Sequence, residues 1–170
     1  MDDTVISLNE VSSELILSGQ LVYLESEYGF KFEVDAPMDL QVLAGDQGIG
    51  SLSLGTLQIA VGVETGNLLY PWGYHPHVSW LEAKLQPPVG RRCLLQVVSN
   101  STRPLASGVA EKVLAAGKWI SECDKDAGWL RVADDVNTES LEFVEFASGC
   151  IAGVARGQLN ELWFHFEWRP

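Results

Sequence analysis

Basic residues are scarce in this chain: 11 Lys and Arg stand against 23 Asp and Glu, for a net charge of −12. Nucleic acids and anionic membranes are both bound through clustered Lys and Arg. With no such cluster, neither partner is expected. No apolar run reaches the 18 residues of a membrane-spanning helix. The opening Met1-Asp2-Asp3 carries no basic n-region of a secretory signal. Cysteine is limited to Cys93, Cys123 and Cys150, an odd number without a CxxC pair. That usage fits reduced, mostly buried thiols in a soluble cytoplasmic protein. Asn100-Ser101-Thr102 spells a glycosylation acceptor, but without a secretory route it carries little weight.

Catalytic signatures are equally thin. There is no Gly-x-Ser-x-Gly, and Gly45, Gly48 and Gly50 are not followed by the Gly-Lys-Ser/Thr of a phosphate loop. Asp124-Lys125-Asp126 starts like a calcium loop but lacks the glycine and terminal glutamate in their places. His75-Pro76-His77 supplies two imidazoles without a third and fourth ligand at a metal-site spacing, so rim histidines are expected rather than a metal centre. The acid pairs Glu25/Glu27, Asp124/Asp126, Asp134/Asp135 and Glu142/Glu145 are expected to be solvated. No cofactor and no metal are expected, and a binding protein is favoured over an enzyme.

What the chain does contain is enough apolar residue, 46% of 170, for a single globular domain over 1–170. Its charge is uneven. Residues 1–50 hold ten acids and one base, 51–110 two acids and four bases, and 111–170 eleven acids and six bases. Phe30, Phe32 and Val34 alternate with Lys31, Glu33 and Asp35, the period of a strand with one charged face. Tyr28-Gly29 breaks the chain before that strand, and Ala36-Pro37 ends it. Residues 39–50 read as a turn-rich connection. Ser51–Leu54 and Leu57–Val63 flank Gly55-Thr56, a type II′ hairpin signal, and the apolar second arm is expected inside the sheet.

Cys93–Val98 reads as a buried strand, residues 99–104 as a polar loop, and Val109–Ala116 as the best helix candidate, with Val78–Lys84 a possible helical turn. Two hairpins follow, around Asp124–Gly128 and Arg156-Gly157. The slip in alternation at Val144 suggests a bulge. The last strand puts Leu162, Phe164, Phe166 and Trp168 on one face and Trp163, His165 and Glu167 on the other, which places it inside the sheet or at an interface. No repeat is visible. These elements predict a mostly β to α+β fold: an antiparallel twisted sheet of eight to ten strands built from hairpins, with one or two short helices.

Two recognition surfaces are predicted. The first is the aromatic stretch 66–80, with Tyr70, Trp72, Tyr74, His75, His77 and Trp80. Its proline and glycines argue against a long central strand, and its rings suit a hot spot or a pocket wall. The second is an acidic face of Glu25, Glu27, Glu33 and Asp35, which would pair with a basic protein partner. An immunity-type inhibitor of a bacterial toxin has such a composition. The alternatives are a small-molecule-binding protein or enzyme using the 70–80 loop, and a structural subunit that forms a homo-oligomer through Leu162–Pro170.

Overall fold

The computed structural model describes residues 6–99, 105–136 and 139–170. The Asn100 acceptor, the opening residues and most of the expected 99–104 loop lie outside them. Among the described residues there are fifteen strands and one α-helix. The first half holds β1 (Ile6–Val11), β2 (Gly19–Leu24), β3 (Gly29–Val34), α1 (Pro37–Ala44), β4 (Ile49–Leu54), β5 (Leu57–Gly62) and β6 (Leu68–Tyr74). The short β7 (Leu81–Glu82) and β8 (Arg91–Arg92) precede β9 (Leu94–Ser99) and β10 (Ala110–Lys112). The last third holds β11 (Trp119–Asp124), β12 (Trp129–Asp134), β13 (Glu142–Ala147), β14 (Cys150–Ala155) and β15 (Gln158–Arg169).

β1 and β9 form a separate two-stranded sheet, and the rest form one curled sheet in the order β10-β4-β5-β6-β3-β2-β15-β12-β11-β7. β14, β13 and β8 branch from β15. The fold is therefore mostly β, as its hairpins foretold, but the sheet is mixed rather than antiparallel. β10–β4, β11–β7, β13–β8 and β15–β2 are parallel ladders. The strand count exceeds eight to ten in part because the two- and three-residue strands β7, β8 and β10 leave no periodicity in the sequence.

β15 is the trunk of the sheet. Its first part is flanked by β14 and β12, and its last four residues run parallel to β2, with Trp168 opposite Tyr23. Leu162, Phe164 and Phe166 enter the core with Leu130, Val132 and Cys150, while Glu161 and Trp163 face the other way. Residues 83–90 cross that second face from β7 at one edge to β8 at the other. Leu85 N donates to Asp124 Oδ2 (3.1 Å), and Gly90 lies against Ile151. Pro87-Pro88 suits an extended strap of this kind.

Turn chemistry follows the sequence closely. Leu54 pairs with Leu57 around Gly55, whose φ of 61° stands at the first turn position, as type II′ requires. Arg156 and Gly157 both have positive φ, the type I′ pattern. The β13 irregularity falls between Glu145 and Ala147 rather than at Val144. All three cysteines are free and buried.

Four expectations need correction. Residues 37–44 are helical: Pro37 opens the helix, Asp39 sits in its first turn and Gly45 ends it at φ 80°. Met38 and Val42 stay exposed, so the helix shows no apolar stripe to a periodicity search. Val109–Ala116 is not a helix. Val109 O and Val113 N bond to Ser51 N and Ser53 O, so the segment completes the open edge of β4, a better use of its backbone groups than one short, exposed helix. Leu68–Tyr74 is a seven-residue strand despite Pro71 and Gly73. A bulge tolerates the proline, since three steps from Leu68 to Pro71 oppose two from Val61 to Ile59, and β5 and β3 each pair with only part of the strand. Finally, Val78–Lys84 holds a single 3-10 turn, His77–Ser79, and then β7.

Candidate functional site

Tyr23 fixes the aromatic segment in place. Its ring is fully buried on β2, within 4.9 Å of Phe30, Trp80 and Trp168. Its hydroxyl lies 2.9 Å from His75 O, 2.9 Å from His77 N and 3.2 Å from His77 Nδ1. A carbonyl can only accept, so the single hydroxyl proton goes to His75 O. The same oxygen then accepts from His77 N–H and from Nδ1–H, which puts a proton on Nδ1, the Nδ1–H tautomer when the ring is neutral. Burial raises the Tyr23 pKa, partly offset by the His77 backbone N–H, so the hydroxyl stays protonated at neutral pH.

His75 is not at the rim as expected. It is 6% exposed and sits behind the segment, with Nδ1 2.7 Å from Thr56 Oγ1 and Nε2 2.8 Å from Ser121 Oγ. Thr56 belongs to the β4–β5 turn and Ser121 to β11, so this imidazole clasps the curled sheet across its opening. Burial drives its pKa down to about 4. Both ring nitrogens are occupied, which removes His75 as a metal ligand beside His77. Among the described residues no group of three or more His, Cys, Asp or Glu is placed to hold a metal ion.

Beyond Tyr23 and His75 lies an open cleft of about 1010 Å³. His77, Trp80 and Trp168 wall one side. The Trp80 ring is stacked 5.9 Å from Phe30, and its buried Nε1 has no oxygen or nitrogen partner among the described residues. Trp168 is held edge-on to His77 at 5.1 Å, and its Nε1 donates to Glu25 Oε2 (3.0 Å). The opposite side comes from β7, the start of the strap and the β11–β12 turn: Glu82, Lys84, Asp124, Lys125 and Asp126. Lys125 reaches back across the cleft, with Nζ 4.3 Å from the centroid of a Trp168 ring.

Cys123 also lines the cleft, but burial pushes its thiol up to about 11, and among the described residues no base is hydrogen-bonded to it. Asp124 is committed to structure, because the N–H groups of Leu85 and Ala127 donate to it and hold its carboxyl below the usual range. The carboxylates of Glu82 and Asp126 make no hydrogen bond or ion pair among the described residues, and so stand free at the rim.

The predicted aromatic set is divided. Trp80 and His77 line the cleft and His75 backs it. Tyr70 stacks on Phe32 at 5.5 Å, Trp72 Nε1 donates to Ser51 Oγ (3.2 Å), and Tyr74 is exposed, all on β6 and off the cleft wall. The acidic set divides too. Glu25 touches the cleft through Trp168, Glu27 and Asp35 are exposed, and Glu33 is bound by Arg169 at 2.8 Å and Lys31 at 3.9 Å. Sequence reasoning missed Trp168, Lys125 and the rim residues. Trp168 was legible only as a ring on the same face as Phe166. No family model and no curated protein matches the chain.

Proposed function

We propose that this is a non-enzymatic binding protein that takes a positively charged group of a basic protein partner into the cleft between Trp168 and the β11–β12 turn. The observation carrying this reading is the Lys125 ammonium over Trp168 at 4.3 Å, within cation–π range. That ring face already accommodates a cation. Three carboxylates on the lining outnumber two ammonium groups, and Glu25 adds a fourth behind Trp168. Glu27 and the net charge of −12 extend the same sign outward, which favours encounter with a basic surface.

Calorimetric titration with a hexalysine peptide at low and high ionic strength tests the reading. Binding should weaken with salt, and Trp168→Leu and Asp126→Lys should each reduce it roughly fivefold. Equal binding by Trp168→Leu would remove the cleft from consideration. The volume also admits a whole small ligand. Tetramethylammonium binding more tightly than hexalysine would favour that second reading, with the same cation seat.

A further inference from the structure

We infer that Lys125 is a built-in occupant of the cation seat, and that the group displacing it is a guanidinium from the partner rather than another ammonium. This rests on the cation-binding reading of the cleft. Two observations carry it further. The ring is fixed: Trp168 is paired with Tyr23 across the β15–β2 ladder, its Nε1 is tied to Glu25 at 3.0 Å, and Tyr23 and His77 pack against it at 4.9 and 5.1 Å. The lysine is not fixed. It stands at the exposed start of the turn between β11 and β12, and makes no ion pair among the described residues.

Asp124 and Asp126 flank Lys125 in sequence, yet its ammonium lies on the indole. Asp124 cannot serve it well, since both carboxylate oxygens accept backbone N–H groups. Asp126 is left unpaired. An incoming cation that takes the ring face enters a lining that also carries the unpaired Asp126 carboxylate, and Lys125 returns to water, where an ammonium is well solvated.

The occupant also sets selectivity. A lysine from a partner exchanges like for like on the indole and gains little. An arginine gains more, because its planar guanidinium stacks on an aromatic face, is more weakly hydrated, and can meet a carboxylate with two N–H groups at once. The cleft is thus a seat for arginine, held closed by lysine.

The test compares hexaarginine and hexalysine peptides by calorimetry on wild type, Lys125→Met and Lys84→Met. The Lys84 variant removes the same charge from the lining without touching the ring. Wild type should prefer hexaarginine. Lys125→Met should bind both peptides about two- to fivefold more tightly, as loss of a cation–π competitor implies, with the larger gain for hexalysine. Lys84→Met should gain less than half as much. The Trp168 indole N–H resonance should shift in peptide-free Lys125→Met and stay in place in Lys84→Met. Lys125→Gln repeats the measurement with a polar replacement, and thermal melts confirm that each variant is folded. Equal gains in Lys125→Met and Lys84→Met, or no preference for hexaarginine, would overturn the inference and leave the cation cleft standing. Failure of both peptides to bind any variant would overturn the cleft reading with it.

Discussion

β15 carries two tryptophans that meet cations in opposite ways. At Trp163, 7% exposed, every polar group is matched. The indole Nε1 donates to Glu161 Oε1 at 2.8 Å, and Arg131 bridges Glu161 at 2.8 Å and Glu122 at 2.7 Å with its guanidinium 5.6 Å from the Trp163 ring. The strap crosses this face. At Trp168, five residues on, the ring is just as well held but its cation is a solvent-exposed lysine with no carboxylate partner among the described residues. Saturated polar groups under a strap lock a sheet together. A fixed ring with a solvent-exposed lysine on its face and unpaired carboxylates nearby is the arrangement on which the proposed recognition role rests.

The contrast is broken most severely at Arg131. Arg131→Met leaves Glu161, a side chain 8% exposed, charged and without its cation. Stranding a buried charge costs about 3 to 4 kcal/mol, toward the low end of the buried-pair range because Arg131 is itself part-exposed. Urea denaturation should show that loss. Adding Glu161→Gln, which removes the charge and still accepts from Trp163, should recover at least half of it. Lys125→Met should change stability by less than about 0.5 kcal/mol. A comparable loss at both sites would erase the distinction between a lock and a seat.

Acid attacks the recognition end by a separate route, through His75. The unfolded imidazole protonates near 6.5 and the folded one only at about 4, so the unfolded chain binds more protons between these values. Stability is fully present above 6.5 and declines as pH falls toward 4, by about 3 kcal/mol from this group alone. His75→Gln should flatten the stability profile across that window, while its absolute stability falls at neutral pH. A wild-type profile already flat there would dissociate the clasp from the acid response.

The contrast between the two tryptophans also explains what was legible beforehand. β3 was readable because Phe30 and Phe32 are buried while Lys31 faces water, a one-sided environment written as alternation. The Gly55 and Arg156-Gly157 turns were readable because positive φ restricts residue choice. α1 was not, since only Leu43 and Ala44 of its eight residues are buried. The site was half legible. Pro71 and the crowded rings marked 66–80 as unusual, but Trp168 comes to Glu25 across 143 residues through a parallel ladder, and no local signal encodes that partner. Lys125 looked like an ordinary hairpin charge, and its role depends on where the β11–β12 turn ends up.

The hydroxyl that holds the cleft wall gives the next smaller effect. Tyr23→Phe keeps the ring packing but strips His75 O and His77 N of their partner. An orphaned buried backbone group costs about 1 to 3 kcal/mol, so a loss near 2 kcal/mol is expected in denaturation. Peptide affinity should fall as well, because His77 then loses the bonds that set its tautomer and position. Stability loss with unchanged affinity would show that the seat depends on Trp168 alone.

Glu25 gives the smallest and sharpest distinction. Its carboxylate both anchors the Trp168 indole and contributes negative charge behind the ring. Glu25→Gln keeps an acceptor for the indole and removes the charge, whereas Glu25→Leu removes both. If the ring must be held to receive a cation, Glu25→Gln should weaken hexaarginine binding by no more than about twofold, the scale of one partly screened charge. Glu25→Leu should weaken it several-fold more and broaden the Trp168 indole resonance. Equal effects would mean that Glu25 acts through its field alone. Trp168 would then match Trp163 in rigidity without needing this bond, and the free lysine, rather than the fixed ring, would be the whole difference between the two ends of β15.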